Sequence, residues 1–362
     1  MKIIKAGVVG LGRMGAFPSQ KVKDYAPKCW FPLSHLESLN MISSVEVTAV
    51  CDQSSPLIEK VKTTYGDLNA YVDVDKMLET SPLDLICLAT RTPGRADLIS
   101  RCIKSGARAL HIEKPLCNSL NELNGLRSLV NKKNTILTYG TLRRYFDVYK
   151  KAKELLDSGR FGDLVQIDVA FGCSQLFWSH PHTLDTILFF TGNRSFKSLQ
   201  AGLSAVELEK QKDKTTIVSD PYIEFAILNF TQNVTAIISK NQGMDVELNC
   251  TAGKISILAD GSLLQSQELK GDDPYLQDIV EHSLDITKPQ GTYSALVQTV
   301  DKLQTLDKDS SVNFSSSNDH IFLGHQLLFL IVQSHLNNST KVSLSDLDLN
   351  MEILAKSDNL YA

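Results

Sequence analysis

The chain has 362 residues, 43% of them hydrophobic and 22% charged, with 37 Lys and Arg against 41 Asp and Glu for a formal net charge of −4. That composition excludes a mainly disordered chain, and its acidic balance argues against a general nucleic-acid binder, which needs a surplus of cations on one face. No stretch reaches the roughly 18–20 uninterrupted apolar residues of a membrane span. The seven cysteines (29, 51, 87, 102, 117, 173 and 250) show no CxxC spacing, and no secretory signal is read at the N-terminus. The expectation is a cytoplasmic protein with buried free thiols and no membrane or nucleic-acid partner.

In chain order, strand-like runs fall at 3–10, 45–52, 83–90, 108–114 and 135–141, with a weaker one near 70–73. Amphipathic helical segments separate them, with Gly66 and Gly106 at helix ends and Ser119 as an N-cap. Apolar strands alternating with helices predict a doubly wound parallel sheet covered on both faces. After about residue 140 the pattern changes. A helix at 147–158, a strand at 164–172 and an apolar helix at 182–192 lead into long strand-like runs joined by short polar turns, which predict a mostly antiparallel sheet. Helical spacing resumes at 274–285, 292–306 and 319–336, and the charged run 207–214 reads as an exposed loop or hairpin tip. The fold class is therefore α/β: a Rossmann-like domain over 1–140, then an α+β domain over 141–362 for substrate binding and oligomerisation.

Gly10-Leu11-Gly12-Arg13-Met14-Gly15 directly succeeds the first strand. Glycines there let the chain turn tightly and let backbone amides approach a pyrophosphate at a helix N-terminus, so Gly10, Gly12, Arg13, Met14 and Gly15 are candidate cofactor contacts. Asp52 ends the second strand, where a carboxylate can accept from a ribose diol; capping of the next helix is the competing role. Gln53, Ser54 and Ser55 supply no cation for a 2′-phosphate, which favours NAD over NADP. Asp52 lies 37 residues after Gly15, so residues 16–33 read as an insertion at the cofactor mouth.

His111-Ile112-Glu113-Lys114-Pro115 closes a later strand, which directs Lys114 toward the cofactor region as a candidate acid/base. Arg143, Arg144 and Tyr145 come after the last strand of the first half; Arg144 could bind an anion or form a salt bridge at the domain junction. A second cluster is Trp178-Ser179-His180-Pro181-His182-Thr183-Leu184-Asp185. No metal centre is expected from this segment or from any other spacing.

The combination VGLGRMG, VTAVCD, LICLATRTP and SGARALHIEKPL resembles the Gfo/Idh/MocA family of oxidoreductases, named for glucose–fructose oxidoreductase and inositol dehydrogenase. The likeness continues through TLRRYFDVYKKAKELLDSGRFGDLVQIDV and, more weakly, to the last helix. It implies a nicotinamide enzyme of sugars, sugar derivatives or cyclic polyols, with Lys114 as catalytic lysine and His182 and Asp185 matching an H-x-x-D at a helix start. It adds Thr92, Pro93 and Glu113 as cofactor contacts; Arg144, Tyr145, Trp178, His180 and Asp185 are the candidate substrate contacts, with capping or bracing of the helix as the competing role of Asp185. It also implies a homodimer or homotetramer through the second domain's sheet. Trp178 stands where many family members have an aspartate, a departure that leaves room for His180 in the proton relay. Two further readings accompany the dehydrogenase: a sugar- or cofactor-sensing regulator that has lost the chemistry, and an enzyme using tightly bound NAD for elimination or epimerisation.

Overall fold

The computed structural model describes residues 2–66, 68–171, 174–211, 214–241, 243–271, 273–285 and 287–354. The first half is built on β1 (Ile4–Val9), α1 (Gln20–Tyr25), α2 (His35–Asn40), β2 (Val45–Cys51), α3 (Ser55–Tyr65) and β3 (Asn69–Tyr71). It continues with α4 (Val74–Thr80), β4 (Leu85–Leu88), α5 (Arg95–Lys104), β5 (Ala109–Ile112), α6 (Leu120–Lys133) and β6 (Ile136–Tyr139). The strands form one parallel sheet in the order β3-β2-β1-β4-β5-β6. Val8, Val50, Leu85 and Leu110 are fully buried, as expected where helices cover both faces. The strand order reverses beside β1, which opens the crevice where α/β sheets bind ligands. Ser119 caps α6 in a reciprocal box with Glu122, and Gly66 ends α3 at φ 93°.

The second half runs through α7 (Asp147–Asp157), β7 (Leu164–Phe171), α8 (Leu176–Thr191), β8 (Phe196–Ser204), β9 (Leu208–Gln211), β10 (Lys214–Ile217), β11 (Tyr222–Phe230) and β12 (Thr235–Ser239). It ends with β13 (Met244–Cys250), β14 (Gly253–Leu258), β15 (Leu263–Lys270), β16 (Asp273–His282), α9 (Gly291–Lys308), α10 (Ser315–Leu336) and β17 (Met351–Ile353). Eight strands form a sheet in the order β16-β15-β14-β13-β7-β12-β11-β8, antiparallel throughout except at β7 and β12. The charged run includes β9 and the first residue of β10, which pair as antiparallel neighbours, and β17 extends that pair; Lys212 and Asp213 lie outside the described residues.

Two expectations need correction. Residues 274–285 are not helical: β16 covers most of them and pairs with β15 from Leu264↔His282 inward. The apolar spacing that suggested a helix carries no burial, because Tyr275 and Ile279 are exposed. The helix expected at 182 begins at Leu176 and contains Pro181, so the histidine pair lies inside its first turns.

The last helices return to the first sheet. Leu296, Val300 and Leu303 of α9 share a core with Ile4, Val8, Cys87 and Ile136. Asn318 of α10 accepts from the Leu137 amide at 3.1 Å and donates to the Thr135 carbonyl at 2.9 Å, extending the ladder of β6. The insertion is strapped to the start of α9. Gln290 and Thr292 donate to the carbonyls of Phe31 and Pro32, and a Cβ on Gly291 would stand 2.1 Å from the Trp30 carbonyl. Cys29, Cys51, Cys87, Cys102 and Cys117 are buried free thiols, and Cys173 lies outside the described residues. Among the described residues, no helix is long and apolar enough to cross a membrane.

Candidate active site

A cleft of about 1370 Å³ runs from the glycine loop to α8, larger than the roughly 300–1,000 Å³ of ordinary small-molecule pockets. Gly10, Gly12, Arg13, Met14, Asp52, Pro93, Glu113, Lys114, Trp178 and His182 line it together. Gly10 adopts φ 89°, and a Cβ there would press on Ala89. Gly15 packs so closely that a Cβ would sit 1.8 Å from the Gly10 carbonyl, whereas a Cβ on Gly12 would meet nothing within 4 Å. The open space beside Gly12 is the cradle that close backbone approach to a pyrophosphate requires.

Asp52 braces this loop. Its Oδ2 accepts from the Leu11 amide at 2.7 Å and its Oδ1 from the Ser54 amide at 2.8 Å. Each carboxylate oxygen retains a second lone pair, so bracing the loop and receiving a diol are compatible. Thr92 is buried beside the lining residue Pro93, and its carbonyl accepts the Arg95 amide. Arg95 ties the strand ends together: its buried guanidinium donates to the carbonyls of Glu113, Pro115 and Thr90.

Lys114 is the centre of the arrangement. Nζ donates to the Trp178 carbonyl at 2.7 Å and lies 3.5 Å from the centroid of the Trp178 ring. Burial pushes its pKa down to about 8; Glu113 and Asp220 pull it up, while Arg95 and Arg143 assist the fall. His182, one helical turn beyond Trp178, has a buried Nδ1 without a partner among the described residues. Burial, then Arg143, Lys114 and His180, hold its pKa well below the ordinary histidine value, so the ring is neutral.

Four of the expected substrate contacts do not reach the cleft. His180 is fully buried on the far side of the helix, its Nδ1 3.1 Å from Thr183 Oγ1 and its ring edge-on to Phe171. Arg144 donates from Nε to Asp185 Oδ2 at 2.8 Å and from Nη2 to the Asp185 carbonyl at 3.2 Å, so these two residues form an internal ion pair. Tyr145 is buried, and burial raises its pKa. On α8, positions 178, 182 and 185 fall on one helical face and residue 180 is turned about 200° away; residue 185 lies a turn deeper, beyond the cleft.

Other residues take their place. Arg143, adjacent to the expected Arg144, lines the cleft and forms a bidentate pair with Asp260 at 2.7 and 2.5 Å. Its guanidinium also lies 5.6 Å from the Trp30 ring and 5.7 Å from the Phe171 ring. Asp220 accepts from the Phe177 and Trp178 amides at 2.8 and 2.9 Å and so holds the start of α8 over Lys114. Burial pushes the Asp220 carboxyl up to about 6, against the pull of those amides and of Lys114. Asp220 and Asp260 stand 42 and 117 residues from their partners, and no local spacing signals either. The insertion does border the cofactor mouth, through Pro18, Ser19, Val22, Tyr25, Trp30 and Leu33.

Residues 4–141 match a family model described as an oxidoreductase family with an NAD-binding Rossmann fold. Among curated proteins, the chain is 26% identical to myo-inositol 2-dehydrogenase of Thermotoga maritima over 159 residues, 44% of this chain and 42% of that protein. The matched stretch thus spans about two fifths of that relative's length. An oxidoreductase from Agrobacterium radiobacter, solved in complex with NAD+, L-tartaric acid and magnesium, superposes with a TM-score of 0.68 at 16% identity, covering 94% of this chain and 98% of that one. A super-repressor mutant of Gal80p from Saccharomyces cerevisiae gives 0.72 at 14% identity, with coverage of 96% and 99%. At such identities these two structures share the fold alone. The 3-2-1-4-5-6 sheet, its glycine loop and the family match agree on an NAD-binding Rossmann fold over residues 4–141, similar to that of the Gfo/Idh/MocA oxidoreductases.

Proposed function

We propose that the protein is an NAD-dependent dehydrogenase or reductase of a CH–OH group on a sugar, a sugar derivative or a cyclic polyol. One observation carries this reading: the Lys114 amine stands in the wall of the same cleft that the glycine loop opens. When bound, NAD supplies the hydride acceptor or donor. Gly10, Gly12, Arg13, Met14, Gly15 and Asp52 hold its dinucleotide half, and Thr92, Pro93 and Glu113 border its reactive end. Asp52 favours NAD over NADP, because a 2′-phosphate would meet a carboxylate.

In the oxidation direction Lys114 Nζ takes the substrate hydroxyl proton, and burial prepares it by disfavouring the ammonium. The neutral His182 ring is its hydrogen-bonding partner at the substrate oxygen. Arg143, fixed by Asp260, supplies positive charge at the floor of the cleft. Trp178 offers an aromatic face to the substrate ring. Residues 1–140 serve the cofactor and 141–362 the substrate, with a second copy completing the open face of the eight-stranded sheet.

The test is Lys114→Ala, with NADH fluorescence titration and then a turnover assay across sugars and polyols. Lost turnover with intact NADH binding is expected; near-normal turnover removes Lys114 from the chemistry. One observation favours a regulatory reading: the amine is already bonded to Trp178 and covered by its ring. Saturable NADH binding with no turnover on any sugar would select that reading.

A further inference from the structure

Two histidines that the proposed chemistry does not use converge on Glu113. His35 comes from α2 and His111 from the middle of β5, and both are fully buried. One donor atom from each of His35, His111 and Glu113 lies within 4.8 Å of the other two. The imidazole rings meet edge to face, their centroids 4.9 Å apart. His35 Nε2 stands 3.2 Å from Glu113 Oε1, which as a carboxylate oxygen accepts its proton.

The hydrogen bonds fix the tautomer of His111. Thr299 Oγ1 donates to the Ala295 carbonyl at 2.9 Å, so it accepts from Thr138 Oγ1, 2.8 Å away. Thr138 has then spent its only proton and accepts from His111 Nδ1 at 2.9 Å. A neutral imidazole has a single N–H, so His111 Nε2 is a bare lone pair. It is buried and has no partner among the described residues, and the same is true of His35 Nδ1. A buried acceptor left unmatched is costly. An imidazole held by its outer nitrogen, with the other nitrogen offered to a carboxylate cluster, is the arrangement in which histidines ligate metals.

We propose that His35, His111 and Glu113 form a site for one divalent transition-metal ion of the zinc class, bound through two imidazole nitrogens and one carboxylate oxygen. The donor set excludes a preference for calcium or magnesium, which take oxygen ligands. The 3.2 Å between His35 Nε2 and Glu113 Oε1 already matches the roughly 3.3 Å between two ligands of a tetrahedral ion bound at about 2.0 Å. His111 Nε2 closes the remaining gap. His35 offers Nε2 to the ion, and the proton of that nitrogen passes to the unpartnered Nδ1. The ion ties α2, just after the insertion, to the strand end that presents Lys114.

The experiment strips the full-length protein with a chelator, adds zinc chloride, desalts it and measures metal content, thermal unfolding and the zinc X-ray absorption spectrum. Expected are one retained equivalent and a Tm raised by several degrees. A nitrogen and oxygen shell at about 2.0–2.1 Å, without sulfur at about 2.3 Å, is also expected. His111→Leu should lose that equivalent while keeping its NADH affinity. No retained zinc, a sulfur shell, or full retention in His111→Leu would each overturn the site. The spectrum needs only the unaltered chain, so the test survives a variant that fails to fold. Metal content is read without turnover, so the result is independent of the dehydrogenase reading.

Discussion

The two walls of the cleft hold their side chains by different rules. On the Rossmann wall, the candidate residues sit at strand ends: Asp52 just past β2, Thr92 and Pro93 beyond β4, and Glu113 and Lys114 just past β5. Parallel strands deliver the residues at their carboxyl ends to the same sheet edge, so sequence position alone gives direction. On the α8 wall, placement depends on helical phase and on depth along the helix. Trp178 and His182 face the cleft, while His180 packs against Phe171 and Asp185 pairs with Arg144. A motif written along a helix therefore mixes residues that face the cleft with residues that brace the core.

Substitutions separate the two kinds of residue, and the largest effect belongs to the Rossmann wall. Lys114→Ala should lower kcat by about 10²–10⁴-fold, the usual worth of a positioned acid/base, with little change in Tm. A large fall in Tm would instead make Lys114 a structural cation beneath Trp178. Asp185→Ala should do the opposite. It strands the Arg144 guanidinium, which is 14% exposed, and breaking a buried pair from one side costs about 3–5 kcal/mol. Thermal or denaturant unfolding should show that loss while the KM of the surviving enzyme stays near normal. If KM rises severalfold with stability intact, Asp185 touches substrate and its assignment to the core fails.

Asp52→Ala is a smaller perturbation. It removes the acceptor for the Leu11 and Ser54 amides as well as the proposed diol contact. Hydrogen bonds to a charged group contribute about 1.5–3 kcal/mol, so NADH should bind roughly 10- to 100-fold more weakly. The preference for NADH over NADPH should shrink in the same variant. An unchanged cofactor ratio would confine Asp52 to bracing the loop.

The same contrast separates the legible parts of the chain from the rest. The parallel sheet is legible in the sequence because each buried strand is a short apolar run bounded by turn residues, and the glycine loop because its spacing is tied to β1. Legibility fails where local pattern and long-range pairing disagree. Residues 274–285 carry helical apolar spacing, yet β15 offers an unpaired edge, and β16 takes it with Tyr275 and Ile279 left in solvent. Arg144 and Arg143 are indistinguishable as sequence neighbours. The short 3-10 turn at Leu142–Tyr145 sends one toward Asp260 in the cleft and the other toward Asp185 in the core. The clamp of Asp220 on α8 and the meeting of His35 with Glu113 join residues 42 and 78 positions apart, a distance at which one sequence carries no signal.

The smallest expected effect tests how Trp178 acts on Lys114. Its carbonyl accepts from the amine and its ring covers it, so side chain and backbone can be separated by Trp178→Leu, which keeps the carbonyl and an apolar cover. Glu113, Arg95, Asp220, Arg143 and His182 remain in place as the surrounding titratable and charged groups. An aromatic face favours the ammonium by about 0.5–2 kcal/mol, and 1.36 kcal/mol corresponds to one pH unit. Loss of the ring should therefore lower the lysine's pKa further from about 8. Oxidation needs the neutral amine, so activity rises with pH through that value. In the variant the ascending limb of kcat/KM should move to lower pH by about half a unit or more. A limb that moves to higher pH would show that the ring's main effect is to exclude water, since readmitted solvent restores the ammonium and outweighs the lost aromatic contact.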